Sequence, residues 1–339
     1  MEQYVGLDVA QKETAVCVVD AAGIKLWAGK CRSIPTVIAA LLHEKAPGAI
    51  RVGMETGPLA VWFWHEFKRL GIPVTCIHAR QAKAALSLQV NKTDQNDAHG
   101  LAQIVRTGWY RPVEMKSLAS HQLRAVLQAR QQLVGIRTTL YNQVRGILKT
   151  FGVVLPPGKG STFVGSVHAR APEIPEVHLV IETLLGTWCE VQRQIRQLDR
   201  TLHHTARHQP VCQRWMTVPG VGPLTAVAYL TTIDNPTRFR RSKDVGPYLG
   251  LTPRRYQSGD VDQAGHISKC GDRLTRSLLF EAAGVLLSRS RAPSALKNWG
   301  QTIARRAGYA KARVAVARKL AILLHRLWVD DTEFVAAAA

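Results

Sequence analysis

Acid is what this chain has least of. Asp and Glu number 24 against 45 Lys and Arg, a formal net charge of +21 with a pI near 10.2. No carboxylate stands between Glu114 and Glu173, and from Ser288 to Val329 there are ten Lys or Arg and no Asp or Glu. Charge this one-sided points to a polyanion, because Lys and Arg that neutralise phosphates drive nucleic-acid association whatever the base sequence. A basic membrane-surface protein fits less well, since no Lys-rich amphipathic helix dominates the chain. Six cysteines stand apart at positions 17, 31, 76, 189, 212 and 270, with no CxxC pair. That argues against zinc fingers and redox motifs, and for a reduced cytosolic setting. No run approaches 18 apolar residues, so no membrane span is expected. The opening "MEQYVGLDVA" has no charged leader before an apolar core, and no signal peptide is expected. What remains, 339 residues at 46% hydrophobic and 20% charged, describes an ordinary folded protein of two or three domains.

Three short apolar runs, "YVGLDV", "ETAVCVVD" and "IKLWAGKC", read as a strand meander, followed by a helix over roughly 34–46. "IRVGMETG" (50–57) and "IPVTCIHA" (72–79) are two more strands, around a helix that Pro58 opens and Gly71 closes. Helical material then runs to about Gly108, which gives an α/β domain over 1–110. The middle region, 111–208, holds one long amphipathic helix from "SLASHQLRAV" to "ILKTFG" and a second over about 175–208. The loop "GVVLPPGKGSTFVGS" separates them, and together they suggest a helical hairpin or coiled coil. A third, mainly α region covers 209–333. It opens on "MTVPGVGPLTAVAYLTTI", the helix-hairpin-helix pattern, in which backbone N–H groups around Gly220 and Gly222 face a phosphate. A plain helical turn is the alternative. "GLTPRRYQSG" reads as loop, "GHISKCGDRLTRSLLFEAAGVLL" as loop then helix, and two more helices, about 294–308 and 310–328, finish the chain.

Against this scarcity of acid, four carboxylates stand out. Asp8 lies inside an apolar strand, where a carboxylate is costly unless it is paired, hydrogen-bonded or on a metal. Glu55 ends a second strand in "GMETG". Asp94 and Asp97, in "NKTDQNDAHGLAQ", share one face at a helix start. Capping and dipole compensation explain the last pair equally well when it is taken alone. In the order Asp, Glu, Asp, Asp, from a first strand, a later strand and a helix after the sheet, the four are what an RNase H-like nuclease domain needs. Their hard oxygens suit Mg²⁺, and a pair of such ions serves phosphodiester displacement.

The ordered motifs "GLDVA", "METG", "KTDQNDA", "VPGVGP", "GLTPRRYQSG" and "ISKCGDRLTR" cover nearly the whole chain. Together they resemble the DEDD transposases, or recombinases, of bacterial insertion sequences, the group guided by a structured bridge RNA. The resemblance implies a RuvC-like N-terminal domain akin to a Holliday-junction resolvase, a coiled-coil middle and a C-terminal transposase domain. It implies Asp8, Glu55, Asp94 and Asp97 as metal ligands, and Ser268 as a nucleophile that forms a transient phosphoserine link to DNA. It further implies donor and target DNA and a structured guide RNA as partners, composite active sites in a dimer or tetramer, no membrane, and a place at the nucleoid in the bacterial cytoplasm. Read from the residues alone, a helix cap is the natural role of Ser268, and only the resemblance points to a nucleophile. Lys269, Arg273 and Arg276 beside it, and Arg254 and Arg255 with Tyr256, are candidates for phosphate contact or for ordinary surface charge. The alternatives to a recombinase are a Mg²⁺-dependent Holliday-junction-type endonuclease using water, and a non-catalytic nucleic-acid scaffold.

Overall fold

The structure, a computed structural model, describes residues 1–87, 91–172, 174–290 and 294–336. The chain divides into two units, the first Met1–Lys116 and the second from Ser117 onward. Among the described residues no helix is long and apolar enough to cross a membrane.

The first unit is built on one sheet of five strands: β1 (Gln3–Val9), β2 (Glu13–Asp20), β3 (Lys25–Arg32), β4 (Ala49–Glu55) and β5 (Val74–Ile77). Their order is β3-β2-β1-β4-β5. β2 pairs antiparallel with both neighbours, while β1–β4 and β4–β5 are parallel. One antiparallel strand in that order is the RNase H arrangement. Helices α1 (Pro35–Lys45) and α2 (Ala60–Arg69) cover one face, burying Ile38, Leu42, Phe63 and Phe67 against Val5, Leu7, Val16, Val18, Val52 and Met54. The other face carries Ala15, Cys17 and Val19 beneath α4 (Asp94–Thr107), with α3 (Ala79–Leu86) beside it. Helical material up to Gly108 is therefore two helices, and residues 88–90 of that stretch lie outside the described residues.

Small residues decide how low α4 sits. A Cβ on Gly6 of β1 would fall on the Ala98 carbonyl oxygen of α4, and one on Gly53 of β4 would fall on the Val105 side chain. Gly6 and Asp8, like Gly53 and Glu55, are two residues apart and so share a strand face. The glycine floor that seats α4 therefore turns both carboxylates toward that helix.

The second unit starts with α5 (Leu118–Thr150), capped by the Ser117 hydroxyl, which accepts from Ser120 N at 3.1 Å. It runs antiparallel to α7 (Pro175–His208): Arg130 pairs with Asp199, and seven residues later Arg137 Nη1 donates to Gln192 Oε1 at 3.0 Å. Between them the loop contains α6 (Ser161–His168), which packs Phe163 and Val167 onto Val144, Leu148, Ile181 and Leu185. In the sequence this segment reads as loop, because Gly165 and β-branched residues dilute its helical signal.

The bases of α5 and α7 supply Leu127, Leu202 and Ala206 to a larger core. That core gathers α8 (Pro210–Met216), α9 (Pro223–Ile233), α10 (Val245–Tyr248), α11 (Arg273–Ser288), α12 (Ala295–Ala307) and α13 (Tyr309–Val329). At its centre Trp215 donates to Leu324 O at 2.8 Å and Tyr229 to Ala321 O at 2.6 Å. "TPRRYQSG" and the residues after it do not form a loop. They form an antiparallel hairpin, β6 (Pro253–Ser258) with β7 (Val261–Ile267), nearly every residue of which is exposed. Without a buried face there is no apolar alternation from which to read it. In the C-terminal basic stretch, residues 291–293 lie outside the described residues.

Candidate active site and nucleic-acid interface

Asp8, Glu55 and Asp97 line one cavity of about 370 Å³, together with Lys83, Asn91 and Lys92. All three are half-buried. Register explains the first two: Leu7 of β1 stands beside Met54 of β4, which brings the next residues, Asp8 and Glu55, alongside. Burial pushes the Asp8 carboxyl up to about 6, with the charges of Asp97, Asp94 and Glu55 adding to it and Lys92 opposing. Glu55 is raised too, by burial first and Asp97 second, again against Lys92. Among the described residues none of the three has an ion-pair partner.

Asp94 is placed differently. Its side chain is 61% exposed and accepts from Lys30 Nζ at 2.6 Å, on the wall of a separate cavity shared with Glu13 and Arg32. That hydrogen bond, reinforced by the lysine charge, holds the Asp94 carboxyl below its ordinary value. Capping does not account for it. The N-cap of α4 is Thr93, whose hydroxyl accepts from Asn96 N at 3.2 Å.

Among the described residues no three Asp, Glu, His or Cys side chains converge tightly enough to make a ready-formed metal cage. The donor set still fits a hard divalent cation. It is all carboxylate oxygen, it opens on a cavity, and burial, with like charge second, raises two of its carboxyls. Mg²⁺ binds in that manner, through few carboxylates and with room for water and phosphate.

Ser268 lies in the second unit, half-buried at the end of β7. Its backbone N–H donates to Thr252 O at 2.9 Å, and among the described residues its Oγ is approached only by Cys270 N, at 3.5 Å. It is not a helix cap. Asp272 caps α11, accepting from Thr275 N at 2.7 Å. Among the described residues no hydrogen bond joins Ser268 to His266.

The loop that carries Ser268 is held firmly. Lys269 has a φ of 54°, costly for a side-chain-bearing residue, and donates its N–H to Gly250 O at 3.1 Å. Gly250 (φ 68°) and Gly271 (φ 72°) lie so close to the facing backbone that a Cβ on either would strike a carbonyl oxygen, of Cys270 or of Tyr248. Arg276 Nη1 ties the two segments together, donating to Cys270 O at 2.8 Å and Leu249 O at 3.0 Å. Arg124 of α5 closes the base through an ion pair with Asp272. Nothing in the sequence marks that pair, which joins residues far apart in the chain.

The remaining basic candidates divide by what they touch. Lys269 and Arg273 are exposed. Arg254 Nη2 donates to Ser268 O at 3.3 Å, and Arg255 is paired with Asp262 across the hairpin. In the helix-hairpin-helix turn Gly220 (φ 92°) lies against Ala282 of α11, where a side chain would meet backbone, while Gly222 faces open space at the N-terminus of α9.

Comparison with known proteins agrees in both halves of the chain. Residues 5–152 match the family profile described as "Transposase" (DEDD_Tnp_IS110), and residues 212–299 match "Transposase IS116/IS110/IS902 family". The transposase for insertion sequence element IS1111A of Coxiella burnetii is 27% identical over 96% of this chain and 89% of its own length. A probable family 20 transposase of Pseudomonas aeruginosa is 28% identical over 83% of this chain and 84% of its own. The solved T. thermophilus RuvC in complex with a Holliday junction substrate aligns with 33% of this chain and 100% of its own, at 14% identity. Its TM-score of 0.26 adds nothing to what the strand order already shows.

Proposed function

The chain belongs to the IS110 family of insertion-sequence transposases, and from that premise we propose a DNA recombinase with Asp8, Glu55, Asp94 and Asp97 as Mg²⁺ ligands and Ser268 as nucleophile. The observation that carries the reading is the convergence of Asp8, Glu55 and Asp97 on one cavity with no ion-pair partner among the described residues. When bound, Mg²⁺ would supply positive charge for the phosphate and its departing oxygen. Asp94, neutralised by Lys30, is the ligand that must give up a lysine to take part.

The serine step exchanges one phosphoester for another. Oγ bonds to phosphorus and loses its proton, one strand P–O bond breaks, and the strand end leaves as a hydroxyl. Attack by a different strand's hydroxyl on the serine ester frees the serine and joins the new strands. The count of phosphoester bonds is unchanged, so no external energy source is needed. A loop fixed by Arg276, two glycines and the Arg124–Asp272 pair suits a nucleophile that must be held in place. Lys269, Arg273, Arg254 and Arg255, the helix-hairpin-helix turn at Gly220 and Gly222, and Arg276 through the loop it ties form the surface offered to DNA backbone.

In this reading residues 1–110 are the RuvC-like catalytic domain, 111–208 the helical oligomerisation region, and 209–333 the domain that presents the serine. Target choice rests with a structured guide RNA, and active sites are composite within a dimer or tetramer. The test is a labelled element-end DNA incubated with Mg²⁺ and resolved under denaturing conditions. The native chain should give a protein–DNA adduct. Ser268→Ala should bind DNA without forming it, and Asp8→Asn or Asp97→Asn should neither cut nor join. Cutting by Ser268→Ala at the native rate would sink the serine and favour water as nucleophile. Sequencing of copurified RNA tests guidance: one discrete species is expected, and random cellular RNA would defeat that part.

A further inference from the structure

Beside the serine loop is a cavity of about 480 Å³ that this chemistry does not use. Its walls include Pro253 and Ile267, paired at the base of the β6–β7 hairpin, with Trp299 of α12 and Lys311, Arg318 and Lys319 of α13. Ile267 directly precedes Ser268, so the cavity and the serine loop share a wall.

Packing puts the indole there. Leu296 and Gly300 of α12 are buried, and a Cβ on Gly300 would stand 2.6 Å from Val316 and 2.7 Å from Leu287. α12 therefore lies hard against its neighbours, and Trp299 is left at the rim, 39% exposed. Lys319 Nζ stands over one face of the indole ring, 5.4 Å from its centroid, and would move to a phosphate when a base takes that face. Lys311, Arg318 and Lys319 are exposed and have no ion-pair partner among the described residues, and no Asp or Glu lines the cavity.

An apolar slot with a partly exposed aromatic ring, edged by cations that have no ion-pair partner among the described residues and free of acid, has the chemistry that holds a nucleotide out of its stack. The base lies on the indole and its phosphates on the cations. We propose that this cavity takes an unstacked base of the DNA strand that Ser268 attacks, a reading that rests on Ser268 as nucleophile. DNA is favoured over RNA because the cavity shares its wall with the loop that must meet the scissile phosphate. Holding one base there separates the strand from its complement at the point where strands are to be exchanged.

The full chain, with Mg²⁺ chelated so that nothing is cut, is titrated by fluorescence anisotropy with three probes of about 12 nucleotides: oligothymidylate, a blunt DNA duplex and oligouridylate. Trp299→Ala should weaken oligothymidylate binding roughly tenfold, and Trp299→Phe should restore most of it. Duplex binding should stay unchanged. Equal loss on duplex and single strand, no loss on oligothymidylate, or a loss confined to oligouridylate would each overturn the proposal. As a measurement independent of folding, 5-iododeoxyuridine placed in the oligothymidylate should photo-crosslink to the Trp299 peptide, and crosslinking only elsewhere would count against it. Ser268→Ala should leave oligothymidylate affinity intact. A Trp299 effect alongside a Ser268→Ala protein that still forms adduct would keep the base-holding cavity and remove the serine reading. The reverse pattern would do the opposite.

Discussion

Gly6 shows how much a single missing side chain can decide. A methyl group there would strike Ala98 O and Ala102 N, both backbone atoms of α4, so no rotamer can relieve it and the helix must rise. We expect Gly6→Ala to cost about 1–3 kcal/mol, to lower the thermal midpoint, and to reduce strand cutting, since Asp97 moves with α4. Gly146→Ala is the counter-experiment. That glycine sits in the interior of α5 with open space around it, so a gain of up to about 1 kcal/mol is expected. A second residue-scale prediction concerns His325. It is buried, with Nε2 at 3.0 Å from Pro236 O and Nδ1 at 3.0 Å from Ser242 Oγ. A carbonyl only accepts, so Nε2 donates to it; in the neutral ring that burial favours, Nδ1 then accepts from the Ser242 hydroxyl. Burial holds its pKa below the ordinary value, against the pull of Pro236 O and Asp330. A depressed folded value means that the unfolded chain binds the proton more readily. The stability it contributes is therefore present above the unfolded pKa of about 6.5 and is lost as pH falls through the folded one. Asp8, raised to about 6, acts with opposite sign over part of the same interval, so the informative quantity is a difference. Between neutral pH and about pH 5, His325→Gln should lose less of its thermal midpoint than the native chain does; an equal loss would show that His325 does not titrate as argued.

The α5–α7 hairpin is the element whose sequence was easiest to read and whose polar contacts were not. On α7 the buried residues Ile181, Trp188, Ile195 and Leu202 recur every seven positions, and a second row runs Leu185, Gln192, Asp199, Ala206. Both rows belong to a seam of coiled-coil period, and its two polar members are the residues that meet Arg137 and Arg130. Polar groups in such a seam fix the register. With the side chains of Arg130 and Asp199 only 21% and 29% exposed, Asp199→Leu should cost about 2 kcal/mol, between the values for surface and buried pairs. Replacing both partners by Leu should restore most of that loss. Denaturant midpoints for the two single variants and the double variant decide it, and a single variant as stable as the native chain would remove the register-setting role. The legibility of the rest follows the same physics. Strands buried on both faces announced themselves as short apolar runs, long amphipathic helices by their period, and other segments by the Pro or Gly that bounds them. So did the order of the four carboxylates, because strand ends and a helix start are visible as texture changes. The β6–β7 hairpin escaped because it has no buried face, and α6 because its short helix is glycine-bearing. The Lys30–Asp94 and Arg124–Asp272 pairs escaped because tertiary proximity leaves no local trace.

At the scale of the whole chain, the surplus of positive charge is unevenly divided. Through Lys116 there are 14 Lys and Arg against 10 Asp and Glu, a net +4; from Ser117 onward there are 31 against 14, a net +17. The unit that carries the acidic cluster is thus the less positive of the two, which suits the divalent cation proposed for it. The unit that carries Ser268 holds most of the charge available to phosphate. Counterion release makes this measurable. If the protein neutralises 6–10 phosphates, its affinity for a short random-sequence duplex should fall roughly 10³- to 10⁵-fold between about 50 and about 200 mM salt. Replacing Arg305 and Arg306, both exposed near the end of α12, with Gln should lower the slope of log affinity against log salt by about 2. Replacing Lys45 and Lys68 of the first unit in the same way should leave that slope nearly where it was. If the two pairs change the slope alike, the charge acts as a uniform cloud and the division between the units has no part in holding DNA.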